Sequence, residues 1–374
     1  MTSFAFDQLR RHPDVEAANL FASDATDRLL LDEAAPLLSA APAGSVVLVN
    51  DHYGALTLGA AAGFGLSGLR VHQDPLSGEL ALANNAARFG LTDRYVQLPL
   101  AAELFRGAAV VLIQAPKSID ALREIAELIA GNAEPDVAVH LGGRVKHLSL
   151  SMNDALRECF GDVRAGLARQ KSRVIVAREP RPSSVVSFPK REQLPEFGLW
   201  VCAHGATFAG TKLDLGTRQL LGLLDRMAPQ ARTAVDLGCG TGILAAALAR
   251  ARPALAVIAT DESAAAVASA RATVAANEVA DRVQVQRDDA MSTLADASAD
   301  LVVCNPPFHV GTTVNPGVAL KLFRAAGRVL RPGGQLWTVY NSHLDHRRSL
   351  DRFVGSTRRA HRDPRFTVTV STRR

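Results

Sequence analysis

The chain has 374 residues, 48% hydrophobic and 21% charged, with 28 glycines, 18 prolines and a formal net charge of +5. Those proportions exclude a disordered or collagen-like chain and predict two or three domains, each able to bury its own core. No uninterrupted apolar run reaches the roughly 18–20 residues of a membrane span, and the first residues lack the pattern of a secretory leader. Cys159, Cys202, Cys239 and Cys304 lie far apart without a C-x-x-C pair, which predicts reduced thiols, no metal site and a cytoplasmic setting.

In chain order, the first half reads SVVLVNDHYGAL, then LRVHQDPLSGELALANN, then AAVVLIQAPKS: short apolar strands alternating with alanine-rich stretches of helical period. Four prolines among alternating charges interrupt that rhythm over residues 179–198, so a linker or crossing strand pair is expected there and domains of residues 1–185 and 186–374. The second half repeats the first with TAVDLGCGTG, AVIATDES and ADLVVCNPPFHVG. Matching Asn50 to Asp236, Asp93 to Asp281 and Pro116 to Pro306 gives offsets of 186, 188 and 190. A slowly drifting offset with a constant order of elements predicts a tandem duplication of one α/β unit with a mostly parallel, doubly wound sheet. In the first copy NDHYGA stands in place of DLGCGTG, so that copy is expected to be degenerate and to bind no nucleotide.

In the second copy a strand leads into Gly238, Gly240 and Gly242 and then a helix, a turn that lets backbone approach a ligand at a helix N-terminus. The spacing is G-x-G-x-G rather than the dinucleotide G-x-G-x-x-G, and Asp236 before it would repel a pyrophosphate. Asp261 ends the next strand 19 residues after Gly242, where an acid can accept from both ribose hydroxyls. An acid after the third strand, Asp289 or alternatively Asp288, can face an adenine amino group. The last motif, Asn305-Pro306-Pro307-Phe308, follows a buried strand at its carboxyl end, where open α/β sheets bind ligands. Acceptors from the Asn305 side chain and the Pro306 carbonyl would favour a pyramidal nitrogen in an amino group otherwise delocalised into its ring. Pro307 stiffens the turn and Phe308 can stack on a base. Cys239 and Cys304 are expected to fill space, and His309 and Lys321 to be surface residues.

DLGCGTG, TDES, DDA and NPPF, in this order and spacing, resemble the class I S-adenosylmethionine-dependent methyltransferases. The resemblance implies two tandem Rossmann-like domains with seven-stranded sheets and an antiparallel last strand. It places Gly238, Gly240, Gly242, Asp236, Asp261, Asp289 and Asn305 at the cofactor S-adenosylmethionine and makes Asn305, Pro306, Pro307 and Phe308 catalytic. N-P-P-F, the degenerate first half and the segment HGATFAGTKLDLGTRQLL together resemble the bacterial ribosomal RNA guanine-N2 methyltransferases of both subunits. This implies methyl transfer to a guanine N2 amino group in ribosomal RNA or a ribosomal particle. No membrane partner is expected, and a monomer is expected because the internal duplication can supply the surface a dimer would otherwise provide. Substrate contacts are expected from Phe208, Asp214, Arg347 and Arg348. The alternatives are an N-methyltransferase for a protein glutamine or a small molecule, and a non-catalytic RNA-binding assembly factor.

From Asn341 to the end stand nine arginines and three aspartates, a balance of +6 that exceeds the net charge of the whole chain. Such an end is suited to folded RNA, with recognition by shape and the target base flipped out of its stack.

Overall fold

In a computed structural model, residues 4–183, 187–306 and 316–374 are described. The chain forms two compact units, Met1–Phe188 and Pro189–Arg374. The first contains strands β1 (Val46–Val49), β2 (Leu69–His72), β3 (Tyr95–Gln97), β4 (Val110–Gln114), β5 (Ala138–Arg144), β6 (Phe160–Ala165) and β7 (Ser172–Pro180). The second opens with the hairpin β8 (Lys190–Leu194) and β9 (Leu199–Ala203). Its sheet follows: β10 (Thr233–Leu237), β11 (Ala256–Asp261), β12 (Val283–Arg287), β13 (Ala299–Cys304), β14 (Leu330–Asn341), β15 (Gly355–Arg362) and β16 (Phe366–Arg373).

The two sheets have one topology. Their orders are β3-β2-β1-β4-β5-β7-β6 and β12-β11-β10-β13-β14-β16-β15, with β7 and β16 antiparallel to both neighbours and the remaining pairs parallel. The central strands read as continuous apolar runs because helices cover both faces: all four residues of β1 and Leu301 to Cys304 of β13 are buried. Two apolar clusters flank each sheet, so each unit has a core of its own.

The helices begin at short polar caps. Asp24 caps helix Ala25–Glu33, Ser118 caps Ile119–Asn132, Asp214 caps Leu215–Leu221 and Ser263 caps Ala264–Ala276, each accepting from a backbone N–H of the first turn. Helix Ala264–Ala276 also satisfies the outer edge of the hairpin. Ser269, Thr273 and Asn277, four residues apart on one face, bond the backbone of His204, Cys202 and Trp200 respectively. This substitutes side chains for a missing neighbouring strand and fixes the start of the loop that leads to Asp214.

The arginine-rich end is not a free tail. It forms helix Arg347–Phe353 and the last two strands, whose inward side chains Val368 and Val370 pack into the core. Among the described residues no helix is long and apolar enough to cross a membrane. The four cysteines are buried and unbridged, and burial pushes the Cys239 and Cys304 thiols upward.

Candidate functional site

The carboxyl ends of β10, β11 and β13 bring most of the expected residues to one edge of the second sheet. After Leu237 the chain turns with Gly238, Gly240 and Gly242 at φ of 71°, 52° and 74°, a region that penalises any side chain. Backbone N–H groups of Gly238 and Cys239 donate to the Thr260 carbonyl at 2.9 and 3.0 Å, tying the turn to β11. A Cβ at Gly238 or Gly240 would meet nothing within 4 Å, so these peptides face open space that can take a ligand. One at Gly242 would lie 2.8 Å from the Ala270 Cβ and 2.9 Å from its Cα, so this glycine lets helix Ile243–Ala251 approach Ala264–Ala276. Gly242→Ala is therefore expected to lower the stability of the second unit by roughly 2–4 kcal/mol, from backbone strain plus overpacking. Denaturant titration checks this, and a loss below about 0.5 kcal/mol would remove the packing role.

Asp261 accepts from Gly240 N–H and Ser263 N–H, both at 3.0 Å, which aligns its carboxylate with the glycine turn. Asp236 behaves differently. It is 1% exposed and accepts from Ala245 N–H at 3.0 Å, beneath the turn rather than on its open side. It shapes the first turn of the helix, and its carboxylate is not presented to a ligand as the resemblance implies. Burial raises its pKa from 3.8 to about 7, against the opposing Ala245 bond and with help from Asp261. The folded state thus holds this proton more tightly than the unfolded one. Its contribution is fully present below about pH 4 and falls as pH rises to about 7. Asp236→Asn, which keeps an acceptor for Ala245, should flatten that part of the stability–pH curve. An unchanged slope between pH 4 and 7 would contradict the assignment.

Asn305 follows β13, whose end is held by a Thr338 hydroxyl bond to the Cys304 carbonyl at 3.0 Å. The Asn305 Nδ2 group donates to Asp214 Oδ2 at 2.8 Å and Thr217 Oγ1 at 3.0 Å. With both N–H bonds committed, the amide offers a substrate its carbonyl oxygen. Gly216 makes room for this: a Cβ there would lie 3.0–3.3 Å from Asp214 and from both polar atoms of Asn305. The segment Leu213-Asp214-Leu215-Gly216-Thr217 thus folds against Asn305, and Asp214 and Thr217 both meet its amide. Leu213, Asp214 and Gly216 lie in the segment HGATFAGTKLDLGTRQLL that carries the family resemblance, and Thr217 follows them there without a signal of its own.

The two third-strand acids separate clearly. Asp288 is 2% exposed, and its carboxylate accepts from the backbone and hydroxyl groups of Ser292 and Thr293. Burial raises its pKa but those bonds outweigh it, leaving it below the usual carboxylate range. Asp289 is partly exposed and pairs with Lys321, whose Nζ is 2.6 Å from Oδ1. Lys321 is thus an ion-pair partner at the site rather than only a surface residue.

Phe208 is 77% exposed, on the loop that Thr207 ties to Ser269 of helix Ala264–Ala276. Arg347 and Arg348 are exposed at the start of helix Arg347–Phe353. Pro306 is buried, while Pro307, Phe308 and His309 lie outside the described residues.

The first unit keeps the frame with other residues at the matching positions. Asp51, next to the matched Asn50, caps helix Ala55–Phe64 through Leu56 and Thr57 N–H, as Asp236 does for its helix. Asp24, Asp27 and Gln114 stand where Asp214, Thr217 and the end of β13 stand, with Gln114 Nε2 donating to Asp27. Buried Gln73 follows β2 where Asp261 ends β11, and Ala115 takes the place of Asn305.

A sheet of this order, with a glycine turn after its first strand, an acid ending the second and Asn-Pro-Pro after the fourth, defines an S-adenosylmethionine-dependent methyltransferase. The family model named Methyltransferase small domain matches residues 198–370, and the RLMG N-terminal domain model matches residues 1–181. The ribosomal RNA large subunit methyltransferase G of Pseudomonas paraeruginosa is 35% identical over 98% of this chain and 97% of its own length. That of Streptomyces coelicolor is 34% identical over 96% of each. The chain belongs to the ribosomal RNA large subunit methyltransferase G family. A T. thermophilus 16S rRNA N2 guanine methyltransferase, solved with AdoMet and guanosine, has the same fold, with a TM-score of 0.71, 20% identity and 92% of both chains covered.

Proposed function

We propose that this chain transfers a methyl group from S-adenosylmethionine to the exocyclic N2 amino group of a guanine in large-subunit ribosomal RNA. The observation that carries the reading is the Asn305 amide, held by Asp214 and Thr217 with its carbonyl left to accept, at the carboxyl end of β13 beside the glycine turn. The relatives' names supply the class of RNA and the subunit.

The residues present fit the cofactor. The open peptides of Gly238 and Gly240 would lie against its methionine part, Asp261 would accept from the ribose hydroxyls, and Asp289 would accept from the adenine amino group. Bound S-adenosylmethionine supplies an electrophilic methyl group on a sulfonium centre. The guanine N2 lone pair is delocalised into the ring, which makes it a weak nucleophile. Asn305 Oδ1 accepts one amino hydrogen and the Pro306 carbonyl the other, which favours the pyramidal nitrogen and localises its lone pair. By the family resemblance Phe308 would stack on the base and Pro307 would stiffen the turn. No covalent nucleophile is required, in keeping with four buried cysteines. The first unit serves as an RNA-docking or folding module, with the domains divided near residue 185. The enzyme acts as a cytoplasmic monomer, which light scattering would register as a single-chain mass.

The test is methyl transfer from labelled S-adenosylmethionine to total RNA from cells lacking the protein, followed by nucleoside analysis. Label recovered as N2-methylguanosine in large-subunit RNA is the expected result. Label confined to protein or small molecules would overturn the reading.

A further inference from the structure

β13 and β14 run parallel, and β14 and β15 are each antiparallel to β16 between them, so β15 ends on the same sheet edge as β13 and Asn305. There the arginine-rich end forms a cleft of about 250 Å³ whose walls include Arg347, Arg358, Arg359 and Arg362 against one acid, Asp345. Asp345 accepts from the Arg347 backbone N–H at 3.2 Å, and the Arg347 guanidinium lies 4.0 Å from Asp351. Arg358, Arg359 and Arg362 are exposed and have no ion-pair partner among the described residues.

The backbone of β15 arranges these cations. In a regular strand Arg359 and His361 would share a face, but the register slips between them. Arg359 stands opposite Thr369, and Arg362 opposite Thr367. The slip thus sets Arg359 and Arg362 on one face, their backbone positions about 7 Å apart along the strand. Thr369 and Thr367, beside them on β16, also line the cleft and are 3% and 8% exposed, so the arginines carry its accessible surface. Three strand spacings, roughly 14 Å, separate this row from the end of β13. A spaced row of exposed guanidinium groups suits an extended polyanion better than a single carboxylate.

We infer that this cleft grips the sugar-phosphate backbone of the substrate RNA flanking the guanine presented to Asn305, with Arg359 and Arg362 on phosphates. The inference rests on the RNA reading above and adds the surface that holds the RNA. Arg359→Gln with Arg362→Gln removes two contacts while leaving the glycine turn and Asn305 untouched. Arg226→Gln with Arg232→Gln removes the same charge at exposed positions before β10, on the opposite sheet edge.

For the cleft variant, kcat/KM on ribosomal RNA should fall about 10–100-fold, mainly through KM, with S-adenosylmethionine binding unchanged. The slope of log(kcat/KM) against log salt should become shallower by roughly 1.5, and the opposite-edge variant should match the parent in both measures. Equal small losses in both variants would reduce the effect to net charge and overturn the inference, as would an unchanged salt slope. If the parent methylates no RNA, the proposed function fails separately. Filter binding of the same RNA then decides the cleft: weakened binding by the cleft variant alone supports it, and equal binding by all three proteins overturns it.

Discussion

Asn305→Ala is expected to lower kcat on ribosomal RNA by roughly 10²–10³-fold, the scale for removing one positioned group that acts in the transition state. S-adenosylmethionine binding should stay within about twofold of the parent, because the glycine turn and Asp261 are tied to β11 rather than to Asn305. Asp214→Ala should share the kcat loss without the substrate contact, since it frees the Asn305 amide to rotate and present N–H in place of its carbonyl. Asp214→Asn, which keeps an acceptor of the same shape, should recover part of it. Single-turnover methyl transfer with saturating cofactor measures all three. Full activity in Asn305→Ala would remove the catalytic role, and equal deficits in Asp214→Ala and Asp214→Asn would reduce Asp214 to a helix cap.

Asp261→Ala should act on the other half of the reaction. Its carboxylate orients two backbone N–H groups and, with cofactor bound, would take the ribose hydroxyls. Hydrogen bonds to a charged group contribute about 1.5–3 kcal/mol each, so losing two weakens cofactor binding by roughly 10²-fold or more. Asp261→Asn retains one acceptor oxygen and should lose nearer tenfold. Calorimetric titration with S-adenosylmethionine reads both, with circular dichroism as the control for folding. A dissociation constant unchanged in Asp261→Ala would relocate the ribose site. Together the two residues predict a clean separation: Asn305 variants lose kcat at constant cofactor affinity, and Asp261 variants lose cofactor affinity first.

Much of this was legible from local pattern. Gly238, Gly240 and Gly242, Asp261 and Asn305 each lie at or just beyond the carboxyl end of an apolar strand, and parallel strands deliver such ends to one edge whatever their side chains do elsewhere. The duplication was legible too, because a repeated order of strands and helices survives substitution of individual residues. NDHYGA stands in place of the glycine turn in the first copy, and the structure adds that Gln73 and Ala115 take the places of Asp261 and Asn305 there. The glycine pattern could not distinguish Asp236, which faces a helix N-terminus inside the protein, from Asp261, which faces the turn. Both are aspartates at strand ends, and only burial separates their tasks.

Sequence alone determined the α/β class, the tandem arrangement and the cofactor-type turn, since strand period and glycine spacing are properties of neighbouring residues. Tertiary structure decided that Asp214 holds Asn305 across 91 residues of chain and that Lys321 pairs with Asp289 across 32. It also turned a run of arginines into a cleft, because a register slip and an antiparallel insertion decide which side chains share a face. Contacts of that kind depend on how strands are ordered in a sheet, and strand order leaves no mark on the spacing of residues along the chain.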